Sequence, residues 1–172
     1  YTDYFTDREV EVDHLIYCDL DNYSRRFQAP LIIYLLECFK HQQGQRFFLF
    51  DECWDILSNN AEYISECFRT FRKFNASAIC ISQNLEDFSQ TALGRSIIQN
   101  CYHQFYFKQE MMQTYNLDES DIENISNLAS VKGRYSEFYY KNDSSKKVCR
   151  YYGSPLEFEL FNTEPDNRHS LK

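Results

Sequence analysis

Short apolar runs that end in polar residues alternate along this chain with segments in which apolar residues recur every three or four positions. The runs are typical of buried strands, and they occupy residues 14–20, 46–50, 76–83 and 103–107. The helical spacing predicts helices over 31–41, 60–74, 93–100 and 118–129. Repeated strand–helix–strand units predict a mostly parallel sheet with helices on both faces. Active residues of such sheets lie at the carboxyl ends of the strands.

The last part of the chain follows a different pattern. Residues 134–140 and 147–152 flank the polar turn 142–145, which predicts an antiparallel hairpin. The polar tail 161–172 is expected to fray. We therefore expect one domain over 1–160 followed by a flexible tail over 161–172.

Composition agrees with an α/β fold. A chain of 172 residues can bury one core, and 43% hydrophobic with 17% aromatic residues excludes a disordered polar chain. Only 4 Gly and 3 Pro argue against a sandwich or barrel with many tight turns.

Charge limits the classes of partner that we expect, and cysteine usage indicates the cellular compartment. A net charge of −8 and a pI near 5.0 oppose unspecific binding to phosphate backbones, so nucleic acid is not indicated. No run is long enough to span a membrane, so any membrane association is expected through partners. The seven cysteines lack a CxxC pair, which predicts reduced, buried thiols of a cytoplasmic protein at positions 18, 38, 53, 67, 80, 101 and 149.

The strongest chemical signal is an apolar strand, 47–50, that delivers the adjacent carboxylates Asp51 and Glu52. It has the form of a Walker B motif. Metal-assisted hydrolysis of a nucleotide needs one carboxylate for Mg²⁺ and another to orient and deprotonate water. We assign Asp51 to Mg²⁺ and Glu52 to the water. The alternative is a strand followed by a helix whose N-terminus favours acids.

The next strand ends in Gln83. Because neighbouring parallel strands end at the same edge, the Gln83 amide should lie beside the acidic pair, where it could contact a γ-phosphate or the attacking water. The alternative is a polar strand end that makes a backbone turn.

Several segments together resemble the conjugative-transfer ATPases of type IV secretion systems, the TraC-like family. The resemblance spans roughly 1–160 and is sharpest from 47 to 109. The matching segments are 48–54 with the acidic pair, the basic helix 68–75, the strand and turn 79–87, the segment 94–100, the strand ending at Lys108-Gln109, and upstream Tyr4-Phe5 with 16–20.

This resemblance implies a RecA-like P-loop NTPase core related to the HerA and FtsK translocases. Such a motor assembles as a ring, expected to be a hexamer, and hydrolyses ATP with Mg²⁺ at subunit interfaces to drive pilus assembly or substrate export. It implies a cytoplasmic location, peripheral to the inner membrane through other secretion components. Arg72 is the expected arginine finger, with Arg69 and Arg95 as competitors, and Trp54 would pack or gate beside the acidic pair.

One feature departs from the family. No GxxxxGK[ST] loop exists among the four glycines, at 44, 94, 133 and 153. The Walker A residues that hold the phosphates are expected upstream of Tyr1, so the isolated chain should bind ATP poorly and be inactive. The sheet would also lack its P-loop strand and carry a raw edge that favours dimerisation or strand borrowing.

Two other functions stay open. A DNA-translocating motor of the HerA/FtsK kind would require a basic loop that faces the channel. A non-catalytic scaffold of the secretion machinery would dock partners through an aromatic surface, or those residues would be ordinary hairpin faces. The residues of that surface are Tyr135, Phe138, Tyr139, Tyr140, Tyr151 and Tyr152.

Overall fold

The computed structural model describes residues 15–20, 23–52, 60–109 and 116–161. Within them the helices are α1 (Arg25–Lys40), α2 (Ala61–Thr70), α3 (Leu85–Ser89), α4 (Ala92–Asn100), α5 (Glu119–Ser126) and α6 (Pro155–Leu160), with a 3-10 helix at Phe71–Phe74. The strands are β1 (Arg46–Asp51), β2 (Ala76–Ile81), β3 (Gln104–Tyr106), β4 (Ser130–Val131), β5 (Tyr135–Lys141) and β6 (Lys146–Tyr151).

Strands β1 and β2 form the predicted parallel pair. Their register runs from Arg46 opposite Ala76 to Asp51 opposite Ile81, so both strands end at one edge. Side chains alternate between the two faces. Phe48 and Phe50 pack into the core, whereas Phe47 and Leu49 are exposed.

The first hydrophobic core lies under the inner face of this pair. Helices α1, α2 and α4 supply most of its buried residues, which are Ile32, Leu36, Phe50, Ile64, Cys67, Phe71, Ala76, Leu93 and Ile97. Full burial of an aliphatic side chain contributes roughly 1.5–3 kcal/mol. These contacts hold the parallel strands and therefore the edge at which they end.

The predicted hairpin is confirmed as β5 and β6, which belong to an antiparallel sheet with β3 and β4. A second core of Ile125, Leu128 and Tyr139 joins this sheet to α5. Tyr139 is only 2% exposed, so it belongs to the core, and the alternative of an aromatic docking surface does not hold for this residue. The period of two along β5 sends Tyr139 to the core face and its neighbours to the other face.

Strand β3 pairs antiparallel with β5 and not, as predicted, within the parallel sheet. Its aromatic residues find partners on β5, since the rings of Phe105 and Tyr140 lie 5.3 Å apart. Tyr106 lies opposite Tyr139. Cross-strand aromatic pairs of this kind stabilise a ladder. The short apolar run predicts a strand but does not specify its partner.

The prediction of a strand over 14–20 is wrong for the part that the structure describes. Residues 15–20 form no strand, and Leu15 and Tyr17 are each 87% exposed. A strand exists only with a ladder partner, which local propensity cannot supply. The expectation of buried thiols fails here too, because Cys18 is exposed, although Cys67 is buried and no disulfide joins cysteines of the described residues.

Helix α1 begins before the predicted start at 31, so Pro30 lies inside the helix and not at its beginning. The N–H groups of Phe27 and Gln28 donate to the Ser24 carbonyl at 2.8 and 3.3 Å, which starts the helix earlier. The buried Gln28 side-chain amide also donates to the Leu20 carbonyl at 2.8 Å, and this bond holds the end of segment 15–20 against α1.

The other predicted helices are present as α2, α4 and α5, and α2 continues into the 3-10 helix. Helices α3 and α6 and strand β4 differ from the prediction, since none of them was expected from the sequence. The signal for α6 was present, because Ser154 caps the helix and Pro155 occupies its first turn. Residues 162–172 of the predicted tail lie outside the described residues. None of the described helices is long and apolar enough to cross a bilayer.

Candidate active site

The carboxyl edge of the parallel pair brings three predicted residues together. Asp51 is the last residue of β1 and lies opposite Ile81, the last residue of β2. Glu52 and Gln83 follow these strand ends, and all three predicted side chains are exposed. A parallel ladder in register requires this proximity, because both chains leave the sheet at the same level.

Glu52 adopts an unusual backbone conformation. Its φ of 49° lies in the left-handed region, which costs a non-glycine residue on the order of 1 kcal/mol. Its N–H donates to the Ile81 carbonyl at 3.2 Å and so continues the ladder by one residue. Its carboxylate Oε1 accepts the Gln83 backbone N–H at 2.5 Å. The turn therefore directs the Glu52 carboxylate across the edge to the neighbouring strand.

The segment after β2 is held on several sides. The Ser82 hydroxyl donates to the Asp87 carboxylate, and the Asn84 N–H donates to Ser82 Oγ at 3.1 Å. The Gln109 side-chain amide, just beyond β3, donates to the Gln83 carbonyl at 3.4 Å. The backbone of Gln83 is thus bonded on both sides while its side chain is exposed.

Sequence reasoning did not assign these supporting roles. The acidic first turn of α3 carried a signal for Asp87, because a carboxylate favours a helix N-terminus and can reach back to a preceding hydroxyl. Nothing in the local pattern indicated that Gln109 reaches Gln83, since the two residues follow strands that belong to different sheets.

The donor set of the edge fits Mg²⁺ in the way typical of nucleotide sites. Among the described residues no group of three or more His, Cys, Asp and Glu could hold a metal ion. Mg²⁺ is commonly bound by one or two carboxylates, with water and substrate phosphates as the other ligands. The exposed Asp51 carboxylate at the strand end meets that requirement.

Arg72 lies at the opposite edge of the sheet. The 3-10 helix Phe71–Phe74 leads into the amino end of β2, which is six residues and therefore about 20 Å long. Arg69 lies on the same side, and both arginines are exposed. Arg95 donates to the carbonyls of Ser89 and Gln90 at 3.0 and 3.2 Å, and so caps α3. Among the described residues no ion pair joins any of these arginines to Asp51 or Glu52. Trp54 lies outside the described residues.

A buried carboxylate on α5, that of Asp121, is bonded to the antiparallel sheet. The side chain of Asp121 is 0% exposed. It accepts bonds from the Tyr139 hydroxyl at 2.6 Å, Lys141 Nζ at 2.7 Å and Lys146 Nζ at 2.8 Å, and the Asp118 N–H completes the set at 3.2 Å.

Burial alone would raise the pKa of Asp121, but these donors outweigh it and hold the pKa well below its usual range. A carboxylate that is fully bonded and closed to solvent joins elements and does not act on a substrate. Sequence reasoning missed this cluster, because its members come from α5, β5 and β6 and meet only in the folded chain.

Comparison with known proteins finds one matching family and one similar solved structure. A family model described as the TraG P-loop domain matches residues 30–172. VirB4 of Thermoanaerobacter pseudethanolicus has a similar structure, with a TM-score of 0.59 and 18% identity over 81% of this chain and 41% of that chain. The chain thus spans less than half of the VirB4 chain. None of the curated proteins matches. The predicted α/β P-loop fold is confirmed by this structural likeness.

Proposed function

Because this chain belongs to the TraG P-loop domain family, we propose that it forms the catalytic edge of an ATPase. The parent protein hydrolyses ATP to energise type IV secretion, through pilus assembly and substrate transfer. The observation that carries the proposal is the convergence of Asp51, Glu52 and Gln83 at one edge, with the Glu52 carboxylate directed across it. Residues 1–160 form the C-terminal part of the motor domain in this proposal.

Each residue of the edge has a separate role. Asp51 holds Mg²⁺, which would neutralise charge on the β- and γ-phosphates of ATP. Glu52 orients the attacking water and accepts its proton, while the exposed Gln83 amide contacts the γ-phosphate or the same water. The parallel ladder fixes the backbone from which these side chains project, and the bond to the Gln83 N–H orients the Glu52 carboxylate before ATP binds.

The phosphate cradle is supplied by another segment of the parent protein. This chain contains no GxxxxGK[ST] motif, whose backbone N–H groups and lysine hold the phosphates. The chain by itself is therefore expected to turn over no ATP. The motor works as a ring, proposed to be a hexamer, on the cytoplasmic side of the inner membrane, where other secretion components anchor it.

Arg72 is proposed to act on the nucleotide of the adjacent subunit. Its position at the edge opposite Glu52 supports a role in trans, since an arginine finger enters the site of the neighbouring chain. The bonds of Arg95 to the end of α3 make it a weaker competitor.

A scaffold role is the second candidate. It is favoured by Phe105 and Phe107, each 58% exposed, on one face of the antiparallel sheet. A DNA-translocating motor ranks below both, because the net charge of −8 opposes unspecific binding to DNA.

ATP turnover by the parent protein, compared between the native chain and Glu52→Gln, tests the proposed function. We expect turnover to fall at least a hundredfold, because the amide keeps the shape of the side chain but cannot accept a proton. Glu66→Gln, the same change at an exposed position of α2, is the matched control and should leave turnover unchanged. No turnover in the native parent, or equal turnover in Glu52→Gln, would favour the scaffold.

A further inference from the structure

In the described part of the chain, a side chain that follows strand β3 of the antiparallel sheet reaches the candidate active edge. Gln109 lies three residues beyond the end of β3, and its Nε2 is 3.4 Å from the Gln83 carbonyl oxygen. The N–H of Gln83 in turn donates to Glu52 Oε1 at 2.5 Å. A series of two hydrogen bonds therefore runs from Gln109 through the Gln83 backbone to the Glu52 carboxylate.

These bonds determine the orientation of the Glu52 carboxylate. The bond from Gln83 uses Oε1 and leaves Oε2 to receive a water. The Gln83 N–H follows the end of β2 and lies beyond the ladder, so its place depends on what holds that segment. The bonds of Ser82 and Asn84 hold this segment on the side that faces α3. On the other side, Gln109 holds the carbonyl of Gln83.

Strand β3 itself is fixed by the antiparallel sheet and by the end of α4. It is paired with β5 over three residues. The Gln104 amide is 3.3 Å from the carbonyls of both Ile98 and Cys101, and Gln104 Oε1 accepts the Tyr106 hydroxyl at 2.8 Å. The position of Gln109 therefore depends on the position of the antiparallel sheet.

We propose that Gln109 is a positioning residue that sets the orientation of the Glu52 carboxylate through the backbone of Gln83 and so couples the antiparallel sheet to water activation. The proposal rests on the proposed function of Glu52. It predicts that a contact which displaces β3 changes the rate of hydrolysis without changing the affinity for ATP.

The test replaces Gln109 by methionine, which has a similar length but no donor. Amide hydrogen exchange of residues 82–84 and steady-state ATP hydrolysis are measured on the parent protein. We expect exchange to become several-fold faster and kcat to fall roughly tenfold with KM unchanged, as the loss of about one hydrogen bond in positioning implies. Gln43→Met, at an exposed position before the amino end of β1, is the matched control and should change neither measurement.

The outcomes separate the two proposals. Unchanged exchange and unchanged kcat in Gln109→Met, in a parent whose turnover depends on Glu52, overturn the positioning role and leave the proposed function intact. Slower hydrolysis through a raised KM alone also overturns it, because that result assigns Gln109 to ATP binding. If the native parent hydrolyses no ATP, the proposed function fails, and faster exchange in Gln109→Met would then support only the structural link.

Discussion

At the scale of single residues, Glu52 illustrates how backbone conformation aims a side chain. The left-handed φ of 49° at Glu52 costs on the order of 1 kcal/mol. The same residue accepts a charge-assisted hydrogen bond from the Gln83 N–H. Such a bond contributes roughly 1.5–3 kcal/mol, which offsets the strain. The conformation directs the carboxylate along the edge at which we propose that the attacking water binds.

Gly94 shows a different residue-scale constraint, a close approach of two helices. A Cβ on Gly94 would lie 2.4 Å from the Asp87 carbonyl oxygen and 2.6 Å from Phe88 Cα. Because both atoms belong to the backbone, Gly94→Ala must displace α3 from α4. We expect the free energy of unfolding to fall by about 2 kcal/mol or more, measured by urea unfolding of the chain.

Gly153→Ala is the control for this prediction. There a Cβ would meet the end of the Phe158 ring at 3.0 Å, and this side chain can move. We expect a loss below about 1 kcal/mol. Equal losses in the two variants would contradict the steric explanation for Gly94.

At the scale of elements, Asp121 joins α5 to the hairpin. The carboxylate and the N–H of Asp121 form a capping box with Asp118 at the start of α5, and Lys141 and Lys146 reach it from β5 and β6. A buried charge with a complete set of donors is stable, but removal of a partner leaves an uncompensated charge. The antiparallel sheet is therefore expected to depend on this carboxylate.

The lowered pKa of Asp121 predicts acid sensitivity of the antiparallel sheet. Its pKa is lower in the folded than in the unfolded chain, so the ionised carboxylate stabilises the fold fully above about pH 4 and this stabilisation is lost as the pH falls below that value. We expect the free energy of unfolding to decline from about pH 4 to pH 2. The measurement is urea unfolding followed by tyrosine fluorescence as a function of pH.

Asp121→Asn should weaken this pH dependence and lower the free energy of unfolding by about 3 kcal/mol at neutral pH. Asp143→Asn, in the exposed turn between β5 and β6, is the control. A pH profile that is the same in Asp121→Asn and in the native chain would assign the acid sensitivity to other carboxyl groups.

At the scale of the whole molecule, the proposed catalytic groups lie at opposite edges of the parallel pair. Asp51, Glu52 and Gln83 occupy the carboxyl edge, and Arg72 precedes the amino end of β2. A single chain with this geometry cannot apply Arg72 to its own acidic pair. A ring in which each subunit offers its finger to the next would satisfy both positions.

Mixing two inactive variants of the parent tests this arrangement. Arg72→Ala and Glu52→Gln should each abolish most ATP turnover, whereas mixed rings should regain part of it. An interface between a subunit with intact Glu52 and a neighbour with intact Arg72 contains every proposed group. Turnover is measured after dissociation and reassembly, with Lys73→Ala, at an exposed neighbouring position, as the control that keeps activity. Mixed rings without activity would contradict a role of Arg72 in trans.

Much of the fold was predictable because its signals are local. The apolar runs before Asp51 and Gln83 predicted β1 and β2, and helical spacing predicted α2 and α4. The hairpin followed from its alternation and polar turn. The family resemblance carried by 47–109 is confirmed by the match over 30–172. The proximity of Asp51, Glu52 and Gln83 could also be predicted, because parallel strands end at a common edge.

Tertiary structure decided the features that depend on distant partners. The run at 15–20 has apolar residues but no place in a ladder, and β3 joined β5 because the hairpin offered aromatic partners. The contact between Gln109 and Gln83, and the cluster around Asp121, likewise bring together residues far apart in the chain. Local periodicity determines which residues form a helix or strand. Pairing and burial between distant segments determine which of those elements meet, and therefore which side chains can act together.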